Sequence, residues 1–395
     1  MEWEAFRFQF HLKPRNVMTE VISIEAYKEA ALNLVLPADW REQLDKLNRV
    51  RAVHGTTALE GNPLSEAEVA RQMDLLEAGQ ENLKKATKEQ LQIRNSGIAQ
   101  NWVRLRFSPE HAPLELADIL KMHHMVTEQS DEINNAPGKF RTFPVTVGSP
   151  DAGGVHRGAP PQDVLQLMEK YPEFVNSRRL RDMHPVIRAL LAHFFLVTIH
   201  PFGDGNGRVS RLVEAGILFQ GGYNVLGFYG LSNYFYRNEL EYKTTLQTCR
   251  KRQPFDVTPF ITFGLRGFAA ELKGINNFIK AKLNRVVYRA MLVRAFNKKT
   301  SDRRRLLNQR EYNLLDYLLL ATEPTDPFSE NPSRKIKMSE LRETPYIKSA
   351  YRNVTPRTFF RELIRLGQLG FIDFKREEGT DSSVVELNFE AIGKH

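Results

Sequence analysis

Residues 200–211 read His200-Pro201-Phe202-Gly203-Asp204-Gly205-Asn206-Gly207-Arg208-Val209-Ser210-Arg211. One imidazole, one carboxylate, one carboxamide, three glycines and two guanidiniums fall within twelve residues. Apolar residues at helical spacing precede the stretch (Ile187, Leu190, Leu191, Phe194, Val197) and follow it (Val213, Ile217, Leu218). The segment therefore reads as helix, loop, helix, with its polar groups in the loop and the first turn of the second helix.

That arrangement suits a phosphate ligand. Gly205 and Gly207 allow positive φ and close approach of the backbone, and N–H groups at a helix start form an anion-binding nest. Arg208 and Arg211, three apart, are expected to share a helix face and present planar forks to phosphate oxygens. Asp204 offers a hard oxygen ligand for Mg²⁺, and His200 has the intrinsic pKa of a general base. Phe202 is expected to plug into the core. Other motifs fit poorly. Ser210 stands where a dinucleotide fingerprint needs its third glycine, and there is no Lys-Ser or Lys-Thr ending of a P-loop. A Ser or Cys nucleophile motif is missing too.

Outward from the motif the chain reads as mostly helical, without internal repeats. Asp39 is expected to cap a helix through Trp40, Leu44, Leu47 and Val50 that stops near Gly61-Asn62-Pro63. Ser65 to Glu68 reads as a capping box, and Gly79 closes the helix that it opens. Helices are expected from about Glu81 to Leu105 and from Leu114 to about Glu128. Phe140 to Val147, a Gly-rich turn and Val155-His156 read as a β-hairpin, with Pro144 confining its strand to an edge. Pro160-Pro161 start a helix through Val164, Leu167 and Met168. Helices resume at Pro185 and run to the neighbourhood of Phe268, followed by a basic helical stretch, Lys280 to Lys299. Beyond it, three helices (Gln309–Leu320, one near Ser339, and Thr355-Pro356 to about Leu366) precede a hairpin of 370–375 and 384–387. That order describes a winged helix-turn-helix.

The 395 residues carry 56 Lys and Arg against 47 Asp and Glu, a net charge of +9, with 42 % hydrophobic residues. This is a globular composition, long enough for two or three domains and unlike a disordered chain. One cysteine, Cys249, excludes a disulfide framework and a Cys-rich metal site. The opening MEWEAFRFQFHLKP lacks the pattern of a signal peptide. Val186 to Ile199, the longest apolar stretch, is too short and too interrupted by Arg188 and His193 to span a bilayer. The expected location is the cytoplasm, with no membrane partner. Residues 271–395 hold 24 Lys and Arg against 16 Asp and Glu, so almost all the net charge lies there. Such asymmetry suggests an acidic partner for the C-terminal part, or simply a solvated basic surface.

Residues 200–211 match at every fixed position the signature His-x-Phe-x-Asp/Glu-Gly-Asn-Gly-Arg-x-x-Arg, and the chain thereby resembles the Fic family. The context from His184-Pro185 through His193 to Leu212 is similar to that family's core helices. The resemblance implies transfer of AMP from ATP to a Ser, Thr or Tyr hydroxyl of a protein, possibly of the chain itself. It implies His200 as the base, Asp204 as the Mg²⁺ ligand, and Asn206 as the holder of the α-phosphate. Gly205, Gly207 and Arg208 would cradle the phosphates, and Arg211 would bind the γ-phosphate. By the same resemblance the hairpin at 138–157 is a flap that docks the target segment, with Phe143 and Val145 as contact points. Tyr242, Leu246 and Arg250, spaced by four, would line an adenine pocket; the same spacing equally describes ordinary core residues. Thr56-Thr57-Ala58-Leu59-Glu60-Gly61-Asn62 matches the family's inhibitory pattern, which implies that Glu60 pairs with Arg211 and holds the phosphates out of line.

The fold expectation is mainly α: a Fic-type helical core with a β-hairpin flap, then a C-terminal winged helix-turn-helix domain. The expected boundaries are 1–95 (helical, with the inhibitory helix), 96–270 (catalytic core), 271–300 (basic connecting helix) and 301–395 (winged helix). Arg357, Arg361 and Arg365 form a basic stripe on the candidate recognition helix, with Phe360, Leu363, Ile364 and Leu366 as its buried side. The implied function is an autoinhibited protein adenylyltransferase that uses ATP and Mg²⁺, with a protein substrate. A DNA-binding transcriptional regulator with a nucleotide-sensing Fic domain competes with it, as does a Fic enzyme that removes AMP. Double-stranded DNA as a partner of the C-terminal domain and a homodimer both stay open.

Overall fold

The computed structural model describes residues 8–34, 36–80, 85–107, 113–129, 135–224, 227, 230–299, 305–324, 335–375 and 383–392. The basic run 301–304, the stretch 325–334 and the turn 376–382, all singled out in the sequence, lie outside them, as does the expected helix start at 81. The chain divides into two compact units, Met1–Leu272 and Lys273–His395.

The first unit begins with β1 (Phe10–His11), α1 (Met18–Leu32), α2 (Ala38–Ala58), α3 (Glu66–Glu77), α4 (Lys88–Arg106) and α5 (Leu116–Thr127). The hairpin β2 (Thr146–Ser149) and β3 (Gly154–Arg157) follows, then α6 (Pro161–Val175) and the short α7 (Arg178–Arg181). Next come α8 (Pro185–Ile199), α9 (Asn206–Gln220), α10 (Ser232–Arg237), α11 (Glu239–Arg250), β4 (Phe255–Asp256) and α12 (Thr258–Asn297), whose residues after Leu272 belong to the second unit.

Helix α8 is the axis of this unit. Its sequence is apolar around the whole helix, the pattern of a helix surrounded by others, and every residue from Ala189 to Ile199 is buried. Pro185 occupies its first turn, where the missing N–H costs nothing. Phe174, Phe195, Phe194 and Phe255 pack edge to face around it.

Several helix starts follow their caps. Ser65 and Glu68 form a reciprocal capping box at α3. An unexpected one, Thr87 with Gln90, starts α4 at Lys88 rather than near 81. Asp39 is not the cap of α2: Pro37 stands there, and Asp39 sits in the first turn, where a carboxylate favours the helix dipole. The hairpin strands pair antiparallel, Thr146 with Arg157 through Ser149 with Gly154. The first strand begins only after Pro144, which has no N–H for a ladder. Phe143 and Val145 therefore precede the strand instead of lying in it.

The second unit contains α13 (Gln309–Ala321), β5 (Ile336–Lys337), α14 (Met338–Glu343), α15 (Pro345–Ala350), α16 (Pro356–Gln368), β6 (Ile372–Lys375) and β7 (Val384–Leu387). The strands form an antiparallel sheet in the order β5-β7-β6. α15 and β5 add to the three helices and hairpin read from the sequence. The core gathers Leu314, Leu318, Leu341, Phe359, Leu363 and Phe371. On α16 the buried side is corrected: Phe359 is buried and Ile364 is exposed. The apolar stripe is rotated by about one position from the one expected, because Phe359, Leu363 and Leu366 follow the i, i+4, i+7 rule.

Candidate active site

The motif loop joins α8 to α9. His200 caps the C-terminus of α8 in the left-handed conformation, with φ 53°. Such a φ is uncommon outside glycine and needs surrounding structure to hold it. Arg141 supplies that structure. Its buried guanidinium donates to the carbonyls of His200 (2.7 Å), Phe143 (2.6 Å) and Ala159 (2.5 Å), and its backbone N–H donates to Pro201. One residue thus fixes the motif loop against both ends of the hairpin region.

His123 is a second staple. The Gly138 N–H donates to its Nδ1 (2.9 Å), so the ring proton lies on Nε2, which donates to the Asp204 carbonyl (3.1 Å). The ring stacks on buried Phe202 at 3.8 Å, and Phe202 fills the core as expected. Burial pushes the His123 pKa down to about 4, so the staple is neutral at pH 7. Neither Arg141 nor His123 stands out in the sequence, because most of the backbone groups each one holds are remote along the chain.

Helix α9 starts where the glycines allow it. Gly205 is its N-cap at φ 77°, and an added Cβ there would lie 2.8 Å from Thr127. The first N–H groups of α9 then have no intrahelical acceptors and face out of the helix end. A Cβ on Gly207 would come within 2.2 Å of the Glu60 carboxylate and 3.0 Å of Arg211. The missing side chain makes room for those groups.

Two residues expected at the phosphates also have protein partners. Asn206 bonds to the Phe202 backbone both ways, accepting from its N–H and donating to its carbonyl, each at 2.9 Å. It closes the loop on itself. Arg208 and Arg211, three apart on α9, reach different partners. Helical side chains lean toward the N-terminus, so Arg208 reaches back one turn to Asp204 Oδ2 (2.5 Å) and to the Val126 carbonyl (2.8 Å), 2 % exposed.

Arg211 faces α2 instead. Its Nε donates to Thr56 Oγ1 (2.7 Å), and one terminal nitrogen donates to the Thr56 carbonyl (3.0 Å) and to Glu60 Oε1 (2.6 Å). Glu60 is placed by the turn that ends α2. Asn62 holds that turn to α4 through the Glu89 carbonyl and Gln92, and accepts from Leu64 N–H.

Glu60, His200, Gly207, Arg211, Tyr242, Leu246 and Arg250 all line one cavity of about 380 Å³. His200 Nδ1 lies 3.4 Å from the Val197 carbonyl, which places the proton on Nδ1 and leaves the Nε2 lone pair unused. Desolvation is the main cause that lowers the His200 pKa to about 4, with Arg250 and Arg141 adding to it. Arg250 donates to Thr198 Oγ1 (3.1 Å), and burial lowers its pKa to about 10 without discharging it at pH 7. Beside the hairpin a wider groove of about 1000 Å³ is lined by Val145, His156, Arg157, Pro160, Arg250 and Lys251 among others. Phe143 does not line either space; its carbonyl serves Arg141.

Asp204 is part-exposed and has one oxygen on Arg208. Among the described residues there is no group of three or more His, Cys, Asp or Glu side chains able to cage a metal. A single carboxylate beside an anion nest suits Mg²⁺, which shares its ligands between protein and phosphates.

Residues 113–218 match the family described as Fic/DOC. Those residues are a Fic/DOC family region of this chain. It is 34 % identical over 171 residues to the protein adenylyltransferase Fic of Drosophila ananassae, an alignment covering 43 % of this chain and 32 % of that one. It is 32 % identical over 172 residues to the protein adenylyltransferase fic-1 of Caenorhabditis briggsae, with the same coverage. The chain thus spans about a third of the length of the curated relatives it matches. In fold it is similar to a Fic family protein from Desulfovibrio desulfuricans, with TM-score 0.53 and 17 % identity over 95 % of this chain and 97 % of that one. It is also similar to Fic-1 from C. elegans, with TM-score 0.54 and 23 % identity over 67 % of this chain and 73 % of that one. The first unit is accordingly a mainly α-helical Fic fold with a small β-hairpin. No described helix is long and apolar enough to cross a membrane.

Proposed function

We propose that the chain is a protein adenylyltransferase whose resting state is held by Glu60. The observation that carries this reading is the shared cavity, in which a neutral imidazole with a free Nε2, a helix-start nest and Arg211 converge while Glu60 occupies Arg211. ATP would place its phosphates on the α9 N-terminus. The hydroxyl oxygen of a Ser, Thr or Tyr bonds to the α-phosphorus, the bond from that phosphorus to the β-phosphate oxygen breaks, and pyrophosphate leaves. His200 Nε2 takes the hydroxyl proton. Backbone N–H groups stabilise the charge on the α-phosphate oxygens, and Arg211, once free, aligns the terminal phosphate. Asp204 is the residue to hold Mg²⁺; when bound, the ion neutralises charge on the phosphates. Arg208 is then a positioning residue for Asp204.

The two-stranded hairpin and its adjacent groove support docking of an extended target segment by main-chain pairing, with Val145 at the groove and Phe143 behind it. Tyr242, Leu246 and Arg250 support an adenine-binding wall. The C-terminal unit supports a winged helix-turn-helix, with Arg357 and Arg361 exposed on amphipathic α16. These two are the candidate DNA contacts. Arg365 is withdrawn from that set, because it donates to buried Glu311 (2.6 Å) and to the Leu306 carbonyl (2.7 Å).

The test uses ATP labelled on the α-phosphate or on the γ-phosphate, with a Glu60→Gly variant. Protein label from the α-position alone is expected. Label from the γ-position would make the chain a phosphotransferase, and none from either would remove the transferase reading.

A further inference from the structure

From the cavity wall at Tyr242 a chain of three buried titratable side chains runs inward, and the proposed proton transfer does not use it. Glu214 on α9, His193 on α8 and Tyr242 on α11 are each less than a tenth exposed. Glu214 Oε2 lies 2.7 Å from His193 Nδ1, and His193 Nε2 lies 2.9 Å from the Tyr242 hydroxyl. Glu214 Oε1 accepts from the Leu231 N–H at 3.1 Å.

The proton inventory has one solution. A carboxylate only accepts, so His193 carries its proton on Nδ1 and donates to Glu214. Its Nε2 must then accept, and the Tyr242 hydroxyl donates to it. Burial favours the neutral imidazole. The Tyr242 ring, stacked on Phe235 at 4.6 Å, is thereby fixed in orientation where it lines the nucleotide cavity.

The other carboxylate oxygen works at a different place. Leu231 immediately precedes α10, and α10 is the seat of α2. The two backbones touch: a Cβ on Gly55 would lie 2.7 Å from the Asn233 backbone. His54 also meets Tyr236 edge to face at 5.2 Å. Helix α2 carries Thr56 and leads directly into Glu60.

We propose that Glu214 is a positioning residue that serves both halves of the site, holding Tyr242 in the nucleotide wall through His193 and the seat of the Glu60 segment through Leu231. This rests on the adenylyltransferase reading for its labelling arm only. Glutamine at 214 keeps the shape but has one acceptor oxygen in place of two, so it keeps the Leu231 contact only if His193 moves its proton to Nε2 and reverses its bond to Tyr242.

The experiment measures the affinity of a non-hydrolysable ATP analogue, bridged by methylene between the α- and β-phosphorus, by calorimetry. Tyr242→Phe is expected to weaken binding about three- to tenfold, the loss of one internal hydrogen bond. Glu214→Gln is expected to weaken it similarly, and the double variant no further, because both act along one chain. Additive losses, or none, would overturn the relay. In the labelling assay Glu214→Gln is expected to raise basal transfer severalfold when Glu60 is present and to lower it beside Glu60→Gly, where only the weaker nucleotide binding remains. A general loosening would change both backgrounds alike. Nitrogen NMR of His193 in the unmodified protein needs no variant to fold: a proton on Nδ1 is expected, and a proton on Nε2 would overturn the assignment. Analogue affinity does not require transfer, so a chain that binds nucleotide but labels nothing would remove the transferase reading and leave the relay to be judged by affinity and tautomer.

Discussion

Glu60→Gly removes one partner of Arg211 and leaves its other two. The Thr56 hydroxyl and carbonyl still hold the guanidinium in place, so the arginine is freed at its outer nitrogen without losing its position. In the resting state ATP can engage that nitrogen only by displacing a charge-assisted contact of 2.6 Å. Hydrogen bonds to charged groups contribute about 1.5–3 kcal/mol. Glu60 is partly exposed, its side chain 28 % accessible, which places its contact toward the lower half of that range. With each 1.4 kcal/mol worth about tenfold, release raises productive nucleotide binding by roughly 10- to 40-fold. The assay is the initial rate of label incorporation at ATP concentrations well below saturation, where rate follows productive binding. An increase of less than about threefold, with the variant folded, would refute the argument that this contact limits the reaction.

Further outcomes follow from the geometry. His200→Ala in the Glu60→Gly background is expected to cut the rate by about 10²–10⁴-fold. Because burial holds His200 at about 4, it is protonated only below that pH, so kcat/KM should be lost as pH falls toward 4. No inflection is expected near the ordinary histidine value of about 6.5. Arg141→Gln leaves buried carbonyls short of a donor and is expected to lower stability by about 1–3 kcal/mol, read by denaturant unfolding. Salt-sensitive binding of duplex DNA by the full chain, if mediated by α16, is expected to weaken in Arg357→Ala and Arg361→Ala. Arg365→Ala is expected to lower stability instead, since it strands buried Glu311.

The helical architecture was legible because its signals are local. Ser65 with Glu68 marks a helix start within four residues, and the apolar run of 186–199 marks a buried helix without reference to the rest of the chain. The pairing of Glu60 with Arg211 was legible only through resemblance, since 151 residues separate the partners. The protein partners of Asn206 and Arg208 were not legible in the sequence for a physical reason. Residue type announces what a side chain can bind, while its direction along the helix decides what it does bind. Arg208 leans back to Asp204, and Asn206 closes on Phe202, both within one turn. Arg141, His123 and Glu214 left no mark in the sequence, because their partners are backbone groups or buried side chains brought together by the tertiary fold.

The chain's central claim is that a hydroxyl receives AMP and that His200 removes its proton. Peptide mass spectrometry of the Glu60→Gly variant incubated with ATP and Mg²⁺, beside the same variant carrying His200→Ala, tests both parts together. AMP esterified to a Ser, Thr or Tyr is expected in the first sample and absent from the second. Phosphate in place of AMP, or AMP added equally without His200, would contradict the account.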